Sequence, residues 1–229
     1  KIMMGEDTFT RAVKDYLDDY DGQAVTIDDF VDSMEKASGL NFSDQFYLWY
    51  TQSGRPRVSA EGDYDSENQT YTLTLRQNIP PTQDQAKKEP MYIPVTTSLI
   101  DAEGGDIPLT LSGETGEEDG YAYGERVLHF TEAEQTFVFE GVTQEPAFHS
   151  LLRSFSAPVD FEPGLSKAQL HEQLLKDTDG FNRWDAGQKL ALYEMERLYN
   201  TYIENGTMPE MDRDYLESLR NMVTDTETD

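Results

Sequence analysis

The chain has 229 residues, with 45 Asp and Glu against 18 Lys and Arg, for a formal net charge of −27. Nucleic acids and anionic membrane surfaces are bound through clustered Lys and Arg, so neither is an expected partner of so acidic a chain. Hydrophobic residues make up 37% and aromatics 11%, enough to bury a core, while the lack of cysteine excludes disulfides, thiolate metal sites and cysteine nucleophiles.

Phe9, Val13, Tyr16, Leu17 and Tyr20 recur at helical spacing until Asp21-Gly22, which predicts an amphipathic helix over roughly 6–20. Thr26 and Asp29 read as the N-cap of a second helix, roughly 27–38, with Phe30, Val31, Met34 and Ala37 on its apolar stripe and Gly39 as its stop. Ser43 is placed to cap a third, short helix carrying Phe46, Tyr47, Trp49 and Tyr50, ended by Ser53-Gly54-Arg55-Pro56. Three such helices are too few to enclose a core alone.

From Val58 to about Val159 the period changes to two. Alternation is clearest at 70–76 and 135–140; further strands are expected at 91–101, 107–111, 126–130 and 150–156, separated by turns such as Glu103-Gly104-Gly105-Asp106. About seven short strands fit an antiparallel β-sandwich of immunoglobulin or fibronectin type, with long loops at Pro80-Pro81 and from Gly113 to Gly124. Beyond Glu162-Pro163-Gly164 the helical period returns through Leu170, Leu174, Leu175, Trp184, Leu190, Leu192, Tyr193, Met195, Leu198, Tyr199 and Tyr202. Pro209 is expected to open a last helix with Tyr215, Leu219 and Met222, and the whole reads as the start of a helical array ending in a frayed tail. No run of about 18 apolar residues occurs and the opening residues lack the layout of a secretory signal, so a cytoplasmic location is expected.

Each short motif has a plain structural explanation. His171-Glu172 opens like a zinc-binding H-E-x-x-H helix, but Leu175 stands where the second histidine must be, and no two histidines are four apart. Asp19 to Asp29 has the look of a calcium loop, yet Leu17 occupies the position of the first ligand, and in Asp177-Thr178-Asp179-Gly180 the glycine comes two positions early. The sequons at Asn41, Asn68 and Asn205 accompany no secretory signal and read as loops. Gly116, Gly120 and Gly124 are spaced like a membrane-helix dimerisation motif, but acids intervene, which makes a flexible loop. Close carboxylate pairs are unavoidable at this acid content, and Trp49, Tyr50 and Trp184 sit at helical spacing more typical of packing than of ligand stacking.

Long stretches of the chain nevertheless resemble one family. Asp21-Gly22-Gln23-Ala24, Asp28-Asp29-Phe30, Met34-Glu35, Ala37-Ser38-Gly39, Trp49-Tyr50 and Gln52-Ser53-Gly54 are similar to the end of the catalytic domain of bacterial aminopeptidase N. The similarity continues through Tyr71-Thr72-Leu73, Pro80-Pro81-Thr82, Gln135-Thr136-Phe137, Phe155-Ser156-Ala157-Pro158-Val159 and Arg183-Trp184-Asp185-Ala186. The resemblance implies a zinc metallopeptidase that removes N-terminal residues from peptides in peptide catabolism. It divides this chain into the last helices of a thermolysin-like catalytic domain (1–54), a β-sandwich domain (55–160) and the start of a C-terminal helical domain (161–229).

The family's amine-holding segment, zinc helix, third zinc ligand and oxyanion-stabilising tyrosine have no counterpart in these residues. The expectation is therefore a non-catalytic middle portion with no catalytic, cofactor-binding or metal residues. Zinc belongs to the parent enzyme, whose partners are peptide substrates and the remaining domains. Apolar surface near Trp49 and Trp184 would favour self-association. A free-standing β-sandwich binding or adhesion module, using aromatic loop residues such as Tyr121 and Tyr123, is the alternative, and a calcium-responsive scaffold a third. The acid excess also matches proteins whose carboxylate self-repulsion is relieved by counterions. The melting temperature should rise between low salt and molar NaCl; a flat or falling curve in thermal denaturation would remove that reading.

Overall fold

The structure is a computed structural model and describes residues 1–114 and 124–224. Two helices open the chain, α1 (Glu6–Tyr20) and α2 (Ile27–Ser38), with the bounds that the local signals predict. At the start of α2 the Thr26 N–H donates to Asp29 Oδ2 at 2.7 Å, and at its end Gly39 takes the left-handed conformation, φ 70°, its N–H donating to the Glu35 carbonyl. The expected third helix is instead two single turns, α3 (Ser43–Phe46) and α4 (Leu48–Thr51). Ser43 is not the cap: Glu35 Oε1, reaching over from α2, accepts the N–H groups of both Phe42 and Ser43 at 2.7 Å. A carboxylate is the stronger acceptor for such exposed amides. Ala12, Val31, Met34 and Phe42 form a small core that is completed by Tyr92, a residue of the following sandwich.

The sandwich contains β1 (Arg57–Asp65), β2 (Thr70–Asn78), β3 (Ile93–Ile100), β4 (Thr110–Leu111), β5 (Glu125–Phe130), β6 (Glu134–Glu140), β7 (Phe148–Leu151) and β8 (Asp160–Glu162). One sheet has the order β4-β6-β2-β1-β8, the other β5-β3-β7. Tyr71, Leu73 and Leu75 of β2 point inward at every second position, against Val95, Leu99, Leu128, Phe130 and Phe139. All named pairings are antiparallel except β1 with β8, which runs parallel through Arg57↔Asp160 and Val58↔Phe161. Neither of these two strands stands out in the sequence: Glu61, Gly62, Asp63 and Asp65 disguise β1, and β8 has three residues.

β3 is buried on both faces. Val95 and Leu99 enter the sandwich core, whereas Thr96, Ser98 and Ile100 lie on the outer face and are buried as well. Beside β3, α5 (Lys167–Lys176) packs on β7 and α6 (Gly180–Asn205) on the turn that follows it, and α7 (Arg213–Thr224) packs on α5; the three helices share a core of Leu170, Leu174, Ala186, Leu190 and Tyr215. No helix among the described residues is long and apolar enough to cross a membrane.

Three expected boundaries move, the first being the strand expected over 107–111, which is only Thr110–Leu111. The strand expected over 150–156 stops at Leu151, because Leu152, Ser154 and Phe155 all adopt left-handed conformations (φ 56°, 54° and 55°) around a single 3-10 turn, Arg153–Phe155. Pro209 does not open α7. Residues 210–212 are held against α6, where Glu194 Oε1 accepts the Asp212 N–H at 2.8 Å and Arg197 donates to the Glu210 carbonyl at 2.6 Å, so the helix begins at Arg213. Between β8 and α5 the chain turns at Gly164, φ +69°, where a Cβ would collide with the Ala60 carbonyl oxygen. Gly164→Ala should therefore cost at least about 1 kcal/mol in denaturant unfolding, against the small gain that an unstrained Gly→Ala exchange brings.

Candidate functional site: the Arg153 junction

The histidines are dispersed and engaged. His129 is hydrogen-bonded to the Tyr92 hydroxyl. His149, fully enclosed, lies between the Tyr71 hydroxyl at Nδ1 (2.8 Å) and the Pro163 carbonyl at Nε2 (2.6 Å). The carbonyl can only accept, so Nε2 carries the proton and Nδ1 accepts from Tyr71. The side chains fit because residue 62, directly above them, is glycine: a Cβ there would overlap the Tyr71 hydroxyl. His171 Nδ1 meets Ser218 Oγ at 2.7 Å, joining α5 to α7. Burial lowers the pKa of all three imidazoles and pushes the Tyr71 phenol well above its usual value.

No group of three His, Asp or Glu among the described residues could hold a metal ion. A catalytic zinc site needs three protein ligands, and no such set stands together among the described residues. Of the acids singled out as calcium-like, Asp29 accepts the Thr26 N–H at the start of α2, Asp179 Oδ1 accepts the Asn182 N–H at 2.9 Å to cap α6, and the Asp177 carboxylate faces Arg153. Asn68 sits in a turn closed by Asp65. Trp49 is not part of an exposed apolar face; it packs on the sandwich core and donates from Nε1 to the Tyr92 carbonyl at 2.9 Å. Trp184 and Tyr50 are exposed. Gly116, Gly120, Tyr121 and Tyr123 lie outside the described residues.

What the structure does assemble is a polar joint between the three-stranded sheet and the helices. Its centre is Arg153, in the turn after β7, with 8% of its side chain exposed. Nε donates to Glu125 Oε2 of β5 at 2.9 Å, Nη2 to Thr178 Oγ1 at 2.8 Å, and Nη1 faces Asp106 (3.3 Å), Ser150 Oγ (3.3 Å) and Asp177 Oδ1 (3.5 Å). Asp106 is further bound by the Ser98 hydroxyl of β3 at 2.6 Å. The Asp177 carboxylate is entirely enclosed and accepts from Ser150 Oγ, Gln173 Nε2 and the Asp179 N–H at 2.9–3.1 Å. Burial raises the Asp177 pKa, opposed by those hydrogen bonds and by the Arg153 charge. Asn182 of α6 closes the joint, its amide donating to Ser150 Oγ and the Leu151 carbonyl.

The left-handed turn belongs to the same assembly. Asp179 Oδ2 accepts the Ser154 N–H at 2.9 Å, while Ser156 Oγ donates to the Pro94 carbonyl and accepts the Thr96 N–H. These bonds hold three non-glycine residues in a conformation that costs about 1–2 kcal/mol each. The turn, β3 and the start of α6 are thus joined through one set of hydrogen bonds.

The comparisons with known proteins agree with this two-part layout. A family described as "Domain of unknown function (DUF3458) Ig-like fold" matches residues 54–164, and one described as "Domain of unknown function (DUF3458_C) ARM repeats" matches 167–229. Aminopeptidase N of Escherichia coli (strain K12) is 43% identical over 188 residues, 82% of this chain and 20% of that protein. The chain belongs to the aminopeptidase N family. Aminopeptidase N of Haemophilus influenzae is 37% identical over 195 residues, 85% of the chain and 21% of that protein. A crystal structure of Legionella pneumophila aminopeptidase A in complex with aspartic acid superposes with a TM-score of 0.73 at 26% identity, over 98% of this chain and 23% of that one. The chain thus spans about a fifth of the length of its aminopeptidase N relatives.

Removing the arginine would strand the Asp177 carboxylate without its counter-charge. Arg153→Met should cost about 3–5 kcal/mol, the range for breaking a buried ion pair by removing one partner. Arg153→Lys should rescue little of that loss, since an ammonium cannot reproduce the planar fork that meets Glu125 and Thr178 together. Urea unfolding of the two variants beside the parent checks both statements.

Proposed function

We propose that this chain is a non-catalytic middle portion of a zinc-dependent, cytoplasmic aminopeptidase N that removes N-terminal amino acids from peptides. Residues 1–54 are the closing helices of its catalytic domain, 55–160 a sandwich serving as structural spacer, and 161–229 the first helices of its C-terminal domain. The observation that carries this reading is the match itself: more than four-fifths of the chain aligns with aminopeptidases N, and those residues make up only a fifth of each relative. The Arg153 junction supports the spacer role, because a sandwich tied to its helices by enclosed charge-assisted hydrogen bonds holds the two at a fixed angle. Tyr92, Trp49 and Gln52 tie the opening helices to the sandwich through packing and neutral hydrogen bonds, Gln52 Nε2 donating to the Glu89 carbonyl at 2.9 Å.

No residue of this chain is assigned to catalysis, cofactor binding or metal binding; the ligands for zinc and the general base belong to other parts of the enzyme. The test is zinc content and alanyl-p-nitroanilide turnover of this chain beside the same protein extended upstream through its catalytic region. Zinc and turnover are expected in the extended form alone. Turnover by the 229-residue chain, or by neither form, would overturn the proposal.

A further inference from the structure

Residues 79–92, which connect β2 to β3, contain neither helix nor strand, yet they lie fastened across the end of α4. Gln52, just past α4, grips them with both ends of its amide: Nε2 donates to the Glu89 carbonyl at 2.9 Å and Oε1 accepts the Glu89 N–H at 2.8 Å. The second fastening is Lys88. Its half-buried ammonium stands within 3.0 Å of four oxygens, the Ser53 carbonyl (2.7 Å), Ser53 Oγ (3.0 Å), Thr82 Oγ1 (2.9 Å) and Gln85 Oε1 (2.9 Å). The cage is also tied to itself, since Gln85 Oε1 accepts the Ser53 N–H at 3.0 Å and the Ser53 and Thr82 hydroxyls lie 2.7 Å apart. Ser53 Oγ further donates to Asp84 Oδ1 at 3.2 Å, which sets a carboxylate behind the neutral oxygens.

Two properties set this apart from an ordinary lysine contact. Lys1, Lys14, Lys167, Lys176 and Lys189 each meet a carboxylate, whereas the four oxygens around Lys88 are all uncharged. An ammonium also has three N–H donors, and here four acceptors close on it. Carbonyl, amide and hydroxyl oxygens converging on one centre are the donor set that replaces the water shell of a potassium-sized ion. With no carboxylate in direct contact, the set suits a single positive charge; divalent cations draw carboxylate ligands. We propose that the cage formed by Ser53, Thr82 and Gln85 is a monovalent-cation site filled from within by the Lys88 ammonium, and that free potassium or ammonium binds there once that side chain is shortened. The tether keeps its own charge at an effective concentration that a dissolved ion does not match, so the parent chain takes up no ion at this point. The fastening between the opening helices and the sandwich then depends on a positive charge at one place, whatever carries it.

Two variants separate charge from shape: Lys88→Ala opens the cage, and Lys88→Met fills it with an uncharged chain of similar length. Thermal unfolding of both, beside the parent 229-residue chain, is followed at one ionic strength in potassium, ammonium or tetramethylammonium chloride. Tetramethylammonium screens the acidic surface equally but is too large for the cage. Lys88→Ala is expected to melt about 3 °C higher in potassium or ammonium chloride than in tetramethylammonium chloride. The parent and Lys88→Met are expected to melt alike in all three. Equal melting of Lys88→Ala in the three salts would overturn the proposal, and so would failure of that variant to fold in any of them. The same ion preference in Lys88→Met would overturn it too, by placing the ion elsewhere on the acidic surface. A measurement on the parent needs no variant: acylation by an N-hydroxysuccinimide ester, read by peptide mass spectrometry, should be about tenfold slower at Lys88 than at its exposed neighbour Lys87. Equal rates at the two lysines would show that Nζ is not held in the cage and would end the proposal.

Discussion

One enclosed guanidinium organises the centre of this molecule. An arginine taken out of water is tolerated only when its donors are met by acceptors, and those of Arg153 come from four places: β5, the segment before β4, β7 and the α5–α6 joint. Each of these segments is bonded to the guanidinium, so the outer face of the three-stranded sheet and the α5–α6 joint share one polar network. The apolar cores on either side contribute nondirectional stability, whereas the bonds of the polar joint discriminate between angles.

Much of the architecture was legible from local pattern. α1 and α2 announce themselves through period and caps, and β2 and β6 through alternation, because in each case the signal lies within a dozen consecutive residues. What escaped depends on tertiary partners. β1 is read as a strand only once β2 lies beside it, and Pro209 is displaced from the helix start by Glu194 and Arg197 on a different helix. The Arg153 partners were illegible for a further reason: Asp106, Glu125 and Asp177 are three carboxylates among 45 acids, and none is a sequence neighbour of another. Nothing local separates an acid destined for burial from one that faces solvent.

The short functional motifs behaved in the opposite manner. His171, Asp29 and Asp179 each sit in a fragment suggestive of metal binding, and each is accounted for by a helix cap or an interhelical hydrogen bond. Caps and metal loops draw on the same oxygen-bearing residues because both satisfy concentrated positive potential, in one case an ion and in the other a row of free amides.

The parallel pairing of β8 with β1 has a topological result. The chain enters the sandwich at Arg57 and finishes it at Glu162, and these two strands lie side by side, with Arg57 opposite Asp160 and the Arg55 guanidinium paired to the Asp160 carboxylate. Adjacent strands are about 4.8 Å apart, so the whole sandwich hangs from the path joining α4 to α5 as a loop closed at its neck. A change of length in the β1–β2 connection falls inside that loop. The last strand therefore leaves the sandwich beside the point at which the first one enters it, and α4 and α5 are tethered at one edge of the same sheet.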